Sequence, residues 1–322
     1  MRPPPLRPGD VVRVVAPAGP FDPAAFEAGL SLLRTRFGLE PRHRSDITAR
    51  SRYLAGDDAR RLDEWNEAVA DPEARAIWCA RGGYGSMRLL EHLDPSRLLH
   101  PPRWLIGFSD ITALHGVLNR AGLVTVHGPM VAFLPRLPAA ALEHLEALLF
   151  GRATPAPASG EPGPGAGLAG TAVIRPGVAV GPLLGGSLTL LGHLCGTPFL
   201  PPLHGAVLFL EDVGEKPYEL DRLLTQLRLA GALQGVRGVA VGQISQCDDG
   251  EQRGLDTVRE LVHALGVPAI EGLRAGHETD NWALPLGAVA TLVAPAPGEP
   301  GVPRLLFEGD EQHPDSVAWS QG

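Results

Sequence analysis

A chain of 322 residues with 44% hydrophobic and 20% charged residues has the balance of a folded globular protein, and it is long enough for two cores without disulfides. Its 28 Lys and Arg against 36 Asp and Glu give a formal net charge of −8, which excludes a general basic field for nucleic acid or an anionic membrane surface. Cys79, Cys195 and Cys247 are an odd number without CxxC spacing, so they read as free thiols in a reducing cytoplasm, not as a disulfide frame or metal site.

The opening "MRPPPLRPGDVVRVVAPAG" is broken by prolines and Asp10, so no signal peptide is expected, and no later stretch has the uncharged length of a membrane span. Within it, "VVRVVAP" (11–17) is the continuous apolar run of a buried parallel strand. "DPAAFEAGLSLLRTRFG" (22–38) spaces Phe26, Leu30, Leu33 and Phe37 as on one helix face and stops at a glycine. A second helix, "DDARRLDEWNEAVADP" (57–72), leads to the short strand "AIWCA" (76–80); "RGGYGS" then introduces another helix, and "RWLIGF" (103–108) another strand. This alternation predicts an α/β fold with a doubly wound parallel sheet.

The stretch 151–170, "GRATPAPASGEPGPGAGLAG", has almost no large apolar side chains and reads as a linker. Beyond it, "TAVIRPGVAVGPLLGG" (171–186) resembles strands joined by turns, and "GAVLFLED" (205–212) is a further strand. A helix at 217–233 precedes "VRGVAVGQIS" (236–245); "LGAVATLVAP" (286–295) and "PRLLFEG" (303–309) add more strand. The expected organisation is an N-terminal α/β domain over 1–150 and a smaller, β-rich C-terminal domain over 171–322.

Four segments put polar residues at the C-terminal ends of predicted strands, the edge where open α/β sheets bind ligands. "WLIGFSDITALHG" (104–116) passes from strand to helix at Ser109; Ile111 stands where a G-x-S-x-G elbow needs its last glycine, and a serine here is also a favoured N-cap. "CARGGYGSMRLL" (79–90) offers backbone N–H groups at Gly82 and Gly83 and a charge at Arg81, although a simple tight turn explains it as well. "LFLEDVGEKPYELDR" ends a strand in Glu211 and Asp212, and "GLRAGHETDNWALPLGA" places His277 in a polar loop. A neutral serine needs an imidazole to take its proton and an acid to orient that imidazole. Ser109, Glu211 and His277 could supply the three, with His127 competing as the base and His115 reading as a helix residue. A non-enzymatic ligand-binding protein, with the glycines holding an anion and Ser109 only capping, is the alternative of another class.

"ARGGYGS", "GFSDITALH", "GPLLGGSLTLL", "LFLEDVGEKPYELDR" and "GHETDNWALPLGA", in this order, resemble the signature segments of the LD-carboxypeptidase family of serine peptidases. The resemblance implies a flavodoxin-like N-terminal domain carrying the serine and a β-rich C-terminal domain carrying the glutamate and histidine. It maps the triad to Ser109, Glu211 and His277, and the oxyanion hole to the backbone N–H of Asp110 and of Gly82 or Gly83; this family's elbow reads Ser-Asp. The implied reaction removes a terminal D-alanine from cytoplasmic murein tetrapeptides in peptidoglycan recycling, without metal or cofactor, with Arg81 a candidate for the substrate carboxylate. The resemblance also implies a homodimer. A branch of the family instead cleaves peptidyl-nucleotide antibiotics as self-immunity proteins, and "EDVGEKPYELDR" looks closer to the recycling branch.

Overall fold

In a computed structural model, which describes residues 1–152, 162–163 and 165–307, the apolar runs pair into two sheets. The first holds β1 (Val11–Val15), β2 (Glu40–Arg42), β3 (Ala74–Cys79), β4 (Trp104–Gly107) and β5 (Thr125–His127), all parallel. Their order, β2-β1-β3-β4-β5, is the flavodoxin-like one. The connecting helices form where the sequence places them. Asp22 caps α1 (Pro23–Thr35) through the Ala25 N–H, with proline at its start, and the helix buries Phe26, Leu30 and Leu33. Asp57 caps α2 (Asp58–Ala70) through the Arg60 N–H, and α3 (Thr112–Arg120) and α4 (Ala139–Leu149) follow β4 and β5.

The segment after "RGGYG" departs from expectation: it winds as 3₁₀ turns at Ser86–His92 and Pro95–Leu98, not as an α-helix. Pro95 opens the second of these turns behind the Asp94 cap, at a position where its missing N–H costs nothing.

The second sheet begins with β6 (Gly167–Ala169), which lies inside the stretch read as a linker. Large side chains are not needed for this strand: a Cβ on Gly167 would come within 2.3 Å of the Leu305 carbonyl oxygen, so the backbones themselves are in contact. After β6 come β7 (Ala172–Arg175), β8 (Gly177–Ser187), β9 (Val207–Val213), β10 (Gly238–Ser245) and β11 (Ala269–Glu271), with α5 (Leu188–Leu194), α6 (Pro217–Leu229) and α7 (Gly254–Ala264) between them. Strands β8 to β11 are parallel neighbours. The chain then crosses to the first sheet, where β12 (Leu284–Leu286) pairs antiparallel with β5. It returns for β13 (Val289–Ala294) and β14 (Arg304–Phe307), which continue the second sheet beyond β8. One buried cluster runs through Val14, Trp78 and Ile106 of the first sheet into Leu183, Phe209 and Leu292 of the second. The two sheets therefore share a core, and the crossing from β11 to β12 passes over their junction.

Candidate active site

Because β1, β3, β4 and β5 are parallel, the turns that follow them gather at one edge of the sheet. The turn after β4 is sharp. Gly107 closes it, since a Cβ there would lie 2.9 Å from the Ile111 side chain, and Ser109 adopts φ +62°, a conformation a non-glycine residue holds at a cost of order 1 kcal/mol. A 3₁₀ turn at Ser109–Ile111 runs into α3, and no side chain caps the start of either. The Ser109 hydroxyl is therefore not a helix cap. The turn after β3 packs directly on it: a Cβ on Gly82 would stand 3.1 Å from Ser109 Cβ and 3.3 Å from its Oγ. The Gly82 carbonyl accepts from the Gly19 N–H at 2.9 Å, which ties the turn after β1 to the same place.

The second sheet brings its own strand ends to this edge. Ser187 at the end of β8 pairs with Glu211 on β9, and the Ser187 N–H donates to Thr112 Oγ1 on α3 at 3.1 Å. Glu211 is wholly buried, and its Oε2 lies 2.7 Å from Nδ1 of His277, whose side chain is 18% exposed. His277 sits on the loop that carries the chain from β11 to β12. That loop is braced by β10: Gln243 donates to the Asp280 carbonyl and accepts from the Glu278 N–H, and Ser245 donates to Glu278. Asn281 closes it from within by accepting the Gly276 N–H. The His277 ring packs 5.1 Å, centroid to centroid, from the ring of Phe108, the residue before Ser109. Strand, turn and loop thus bring Glu211, His277 and the Ser109 turn into one cluster. Among the described residues no hydrogen bond joins Ser109 to His277, a bond that in free enzymes is often long and tightens when substrate binds.

With Nδ1 donating to Glu211, Nε2 is left as the basic nitrogen of His277. Burial pulls the imidazole pKa down, but the hydrogen bond and charge of Glu211, helped by Asp212, more than offset it, and the net shift is upward. Asp212 is pushed up to about 6 by burial and by the Glu211 charge, against its bonds from Thr189 and Val213.

The competing histidines do other work. His115 is fully buried on α3, with Nε2 2.8 Å from the Gly107 carbonyl, and burial holds its pKa near 4. His127 is fully buried, neither ring nitrogen has a hydrogen-bond partner, and burial sets its pKa well below the ordinary imidazole value. Its ring packs against Phe108 and Phe209, so it wedges the two sheets together. Arg81 is exposed, donates to the Pro20 carbonyl at 2.6 Å, and has no carboxylate partner among the described residues. A cavity of about 380 Å³ lined by Cys195, His204 and Gln234 includes none of these residues. The three cysteines are free, and no group of His, Cys, Asp and Glu among the described residues could hold a metal ion. No helix among them is long and apolar enough to cross a membrane.

Sequence reasoning missed the braces: Ser86, Thr112, Ser187, Gln243 and the Asp110 carboxylate. Each bonds to a residue distant in the chain, and the one local signal, polar residues within "GQIS" at a strand end, looks like an ordinary solvated terminus.

Residues 12–128 match a family model described as the LD-carboxypeptidase N-terminal domain, and residues 180–292 match its C-terminal counterpart. A Streptomyces coelicolor protein named provisionally as a carboxypeptidase is 42% identical over 301 residues, 91% of this chain and 94% of that one. A murein tetrapeptide carboxypeptidase of Pseudomonas aeruginosa is 35% identical over 302 residues, 87% of this chain and 92% of its own. The crystal structure of a muramoyltetrapeptide carboxypeptidase from Oxalobacter formigenes superposes with a TM-score of 0.78 at 28% identity, covering 92% of this chain and 99% of that one. The microcin C7 self-immunity protein of Escherichia coli is 26% identical over 263 residues, 73% of this chain and 76% of its own.

Proposed function

The chain belongs to the LD-carboxypeptidase family, and from that premise we propose that it is a serine carboxypeptidase releasing the terminal D-alanine of murein tetrapeptides in the cytoplasm. The observation that carries the reading is the 2.7 Å Glu211–His277 hydrogen bond beside a serine held at φ +62° on a strand-to-helix turn. Ser109 Oγ attacks the carbonyl between the L-centre of the diamino acid and D-alanine, while His277 Nε2 takes its proton. The carbonyl oxygen gains the charge and is met by the backbone N–H of Asp110 and that of Gly83 or Gly82. Gly83 is the stronger of the two: the trans peptide points its N–H away from the Gly82 carbonyl, which Gly19 already occupies. His277 then protonates the departing amine, an acyl-enzyme remains on Ser109, and water, activated by the same nitrogen, hydrolyses it. Glu211 fixes the tautomer and steadies the imidazolium. Arg81, exposed and with its guanidinium close to Gly83, meets the free carboxylate of the substrate. The reaction needs no metal or cofactor.

Release of D-alanine from a murein tetrapeptide tests the assignment. Ser109→Ala abolishes it at unchanged melting temperature, because no side-chain capping bond is lost; substantial remaining activity refutes Ser109 as nucleophile. A peptidyl-nucleotide cleaved much faster than the tetrapeptide would place the substrate on the self-immunity side of the family, to which the Escherichia coli relative belongs.

A further inference from the structure

The residue after Ser109 is bound sideways into the neighbouring turn. Asp110 is 2% exposed, and its Oδ2 accepts the Ser86 N–H at 2.8 Å. Ser86, fully buried, returns the contact by donating its hydroxyl to the Asp110 carbonyl at 2.6 Å. Two residues 24 apart in sequence are thus joined by a reciprocal pair of hydrogen bonds, one through each side chain. The bonds leave the helix axis: Asp110 caps neither the 3₁₀ turn nor α3. On its other side the glycine turn is anchored by Arg61, a fully buried guanidinium on α2 that donates to the Gly85 carbonyl at 2.8 Å and to the Pro17 carbonyl. The turn Arg81–Ser86 is therefore held between α2 and the serine turn.

We infer that the Asp110–Ser86 pair is a positioning device that sets the spacing and aim of two backbone N–H groups, those of Gly83 and Asp110, where an oxyanion forms above Ser109. The inference rests on the reading of Ser109 as nucleophile. A hydrogen-bond donor stabilises a developing charge only when aimed at the place the charge will occupy, and the two donors here belong to different turns with no covalent path shorter than the β3-to-β4 connection. Glycine at 82 lets that turn approach Ser109, and Gly83 at φ +104° adds to its backbone freedom; the reciprocal bonds remove that freedom. Burial raises the Asp110 pKa, and the hydrogen bonds from Ser86 and from the Gly85 backbone offset it only in part, so those partners hold the carboxyl in a place that burial disfavours. Asp110 and Ser86 need not touch the substrate to act.

Asp110→Ala and Ser86→Ala are compared with Asp110→Asn, which keeps an oxygen to accept the Ser86 N–H. Each is assayed for kcat and KM on a murein tetrapeptide and for affinity to a peptide boronic acid, which adds to a serine as a tetrahedral anion. Asp110→Ala lowers kcat on the order of 10- to 100-fold with KM held, the boronate weakens in step, and Asp110→Asn restores most of both. Ser86→Ala gives the same pattern at smaller amplitude, and it decides the matter alone if Asp110→Ala does not fold. Unchanged kcat in the alanine variants, a loss confined to KM, or a fall in kcat without loss of boronate affinity overturns the inference. Activity retained in Ser109→Ala would instead overturn the nucleophile on which it rests.

Discussion

The side chain of Ser109 could have capped a helix, and the sequence around it favours that use; the backbone decides otherwise. At φ +62° the serine stands ahead of the helical turns, and its hydroxyl is spent on none of their N–H groups. Glu211 and His277 are likewise ordinary residues in isolation, a strand-end acid and a loop histidine, until their 2.7 Å bond joins them and fixes the tautomer that the proposed base requires. That bond sets a pH dependence with a definite sign. In the proposed mechanism His277 must be neutral to accept a proton, and its pKa is raised, so that mechanism places the acid limb of kcat/KM above the ordinary imidazole value near 6.5. Glu211→Gln removes the charge while burial still disfavours the imidazolium; the limb therefore moves to lower pH, and kcat falls because the imidazolium loses its partner. A pH-rate profile checks this, and an unshifted limb in Glu211→Gln would assign the titration to another group.

At the scale of elements, helices α1 and α2 are legible in the sequence because a helix repeats its apolar face every three to four residues and opens on a capping residue, both local facts. The 3₁₀ turns at Ser86–His92 and the short β6 are not, since neither is set by apolar period: the hold of Asp110 and Arg61 fixes the start of one, backbone contact with β14 sets the other. Some glycines carry the same kind of tertiary information. Gly29 lies inside α1, where alanine would ordinarily be better by about 1 kcal/mol. A Cβ there would come within 2.0 Å of the Val131 carbonyl oxygen, in the 3₁₀ turn that follows β5. Separating the helix from that turn costs more than propensity returns, so Gly29→Ala is destabilised by roughly 1–3 kcal/mol. A urea titration showing a lower midpoint at unchanged slope checks it, and a raised midpoint would show that α1 packs more loosely than its backbone contact implies.

Across the whole molecule, the junction of the sheets is lined with buried imidazoles. His115 and His144 have pKa values near 4 because burial opposes their charge, and His127 is held well below the ordinary imidazole value for the same reason. Each stays neutral in the folded chain while its unfolded form takes up a proton below about pH 6.5. Below that pH, and until the folded pKa is reached, each group removes stability by up to about 1.4 kcal/mol per pH unit. His277 acts in the opposite sense: its raised pKa adds stability that is fully present below the unfolded value and is lost as pH rises through the folded one. Asp212, its carboxyl raised to about 6, likewise adds stability as pH falls through that value, but the three lowered imidazoles outweigh these two raised groups, so the urea midpoint falls as pH is taken from 7 towards 5. A midpoint that holds or rises over this interval would mean that the buried histidines accept protons without unfolding.

What the sequence determined by itself is whatever repeats locally: the alternation of strand and helix, the apolar face of α1, and polar residues collected at strand ends. Its five ordered motifs also pointed to the family, because side chains spaced along a strand end or turn are read directly from the chain. Only the tertiary structure decided which histidine serves Glu211, since His127 and His277 both stand near strand ends and differ in what surrounds them. His127 closes a strand that packs in the shared core, whereas His277 rides the loop that crosses from β11 to β12 and so emerges between the sheets, beside Phe108. That crossing pairs strands more than 150 residues apart, β12 with β5, and no local preference of the chain encodes a pairing at such a separation.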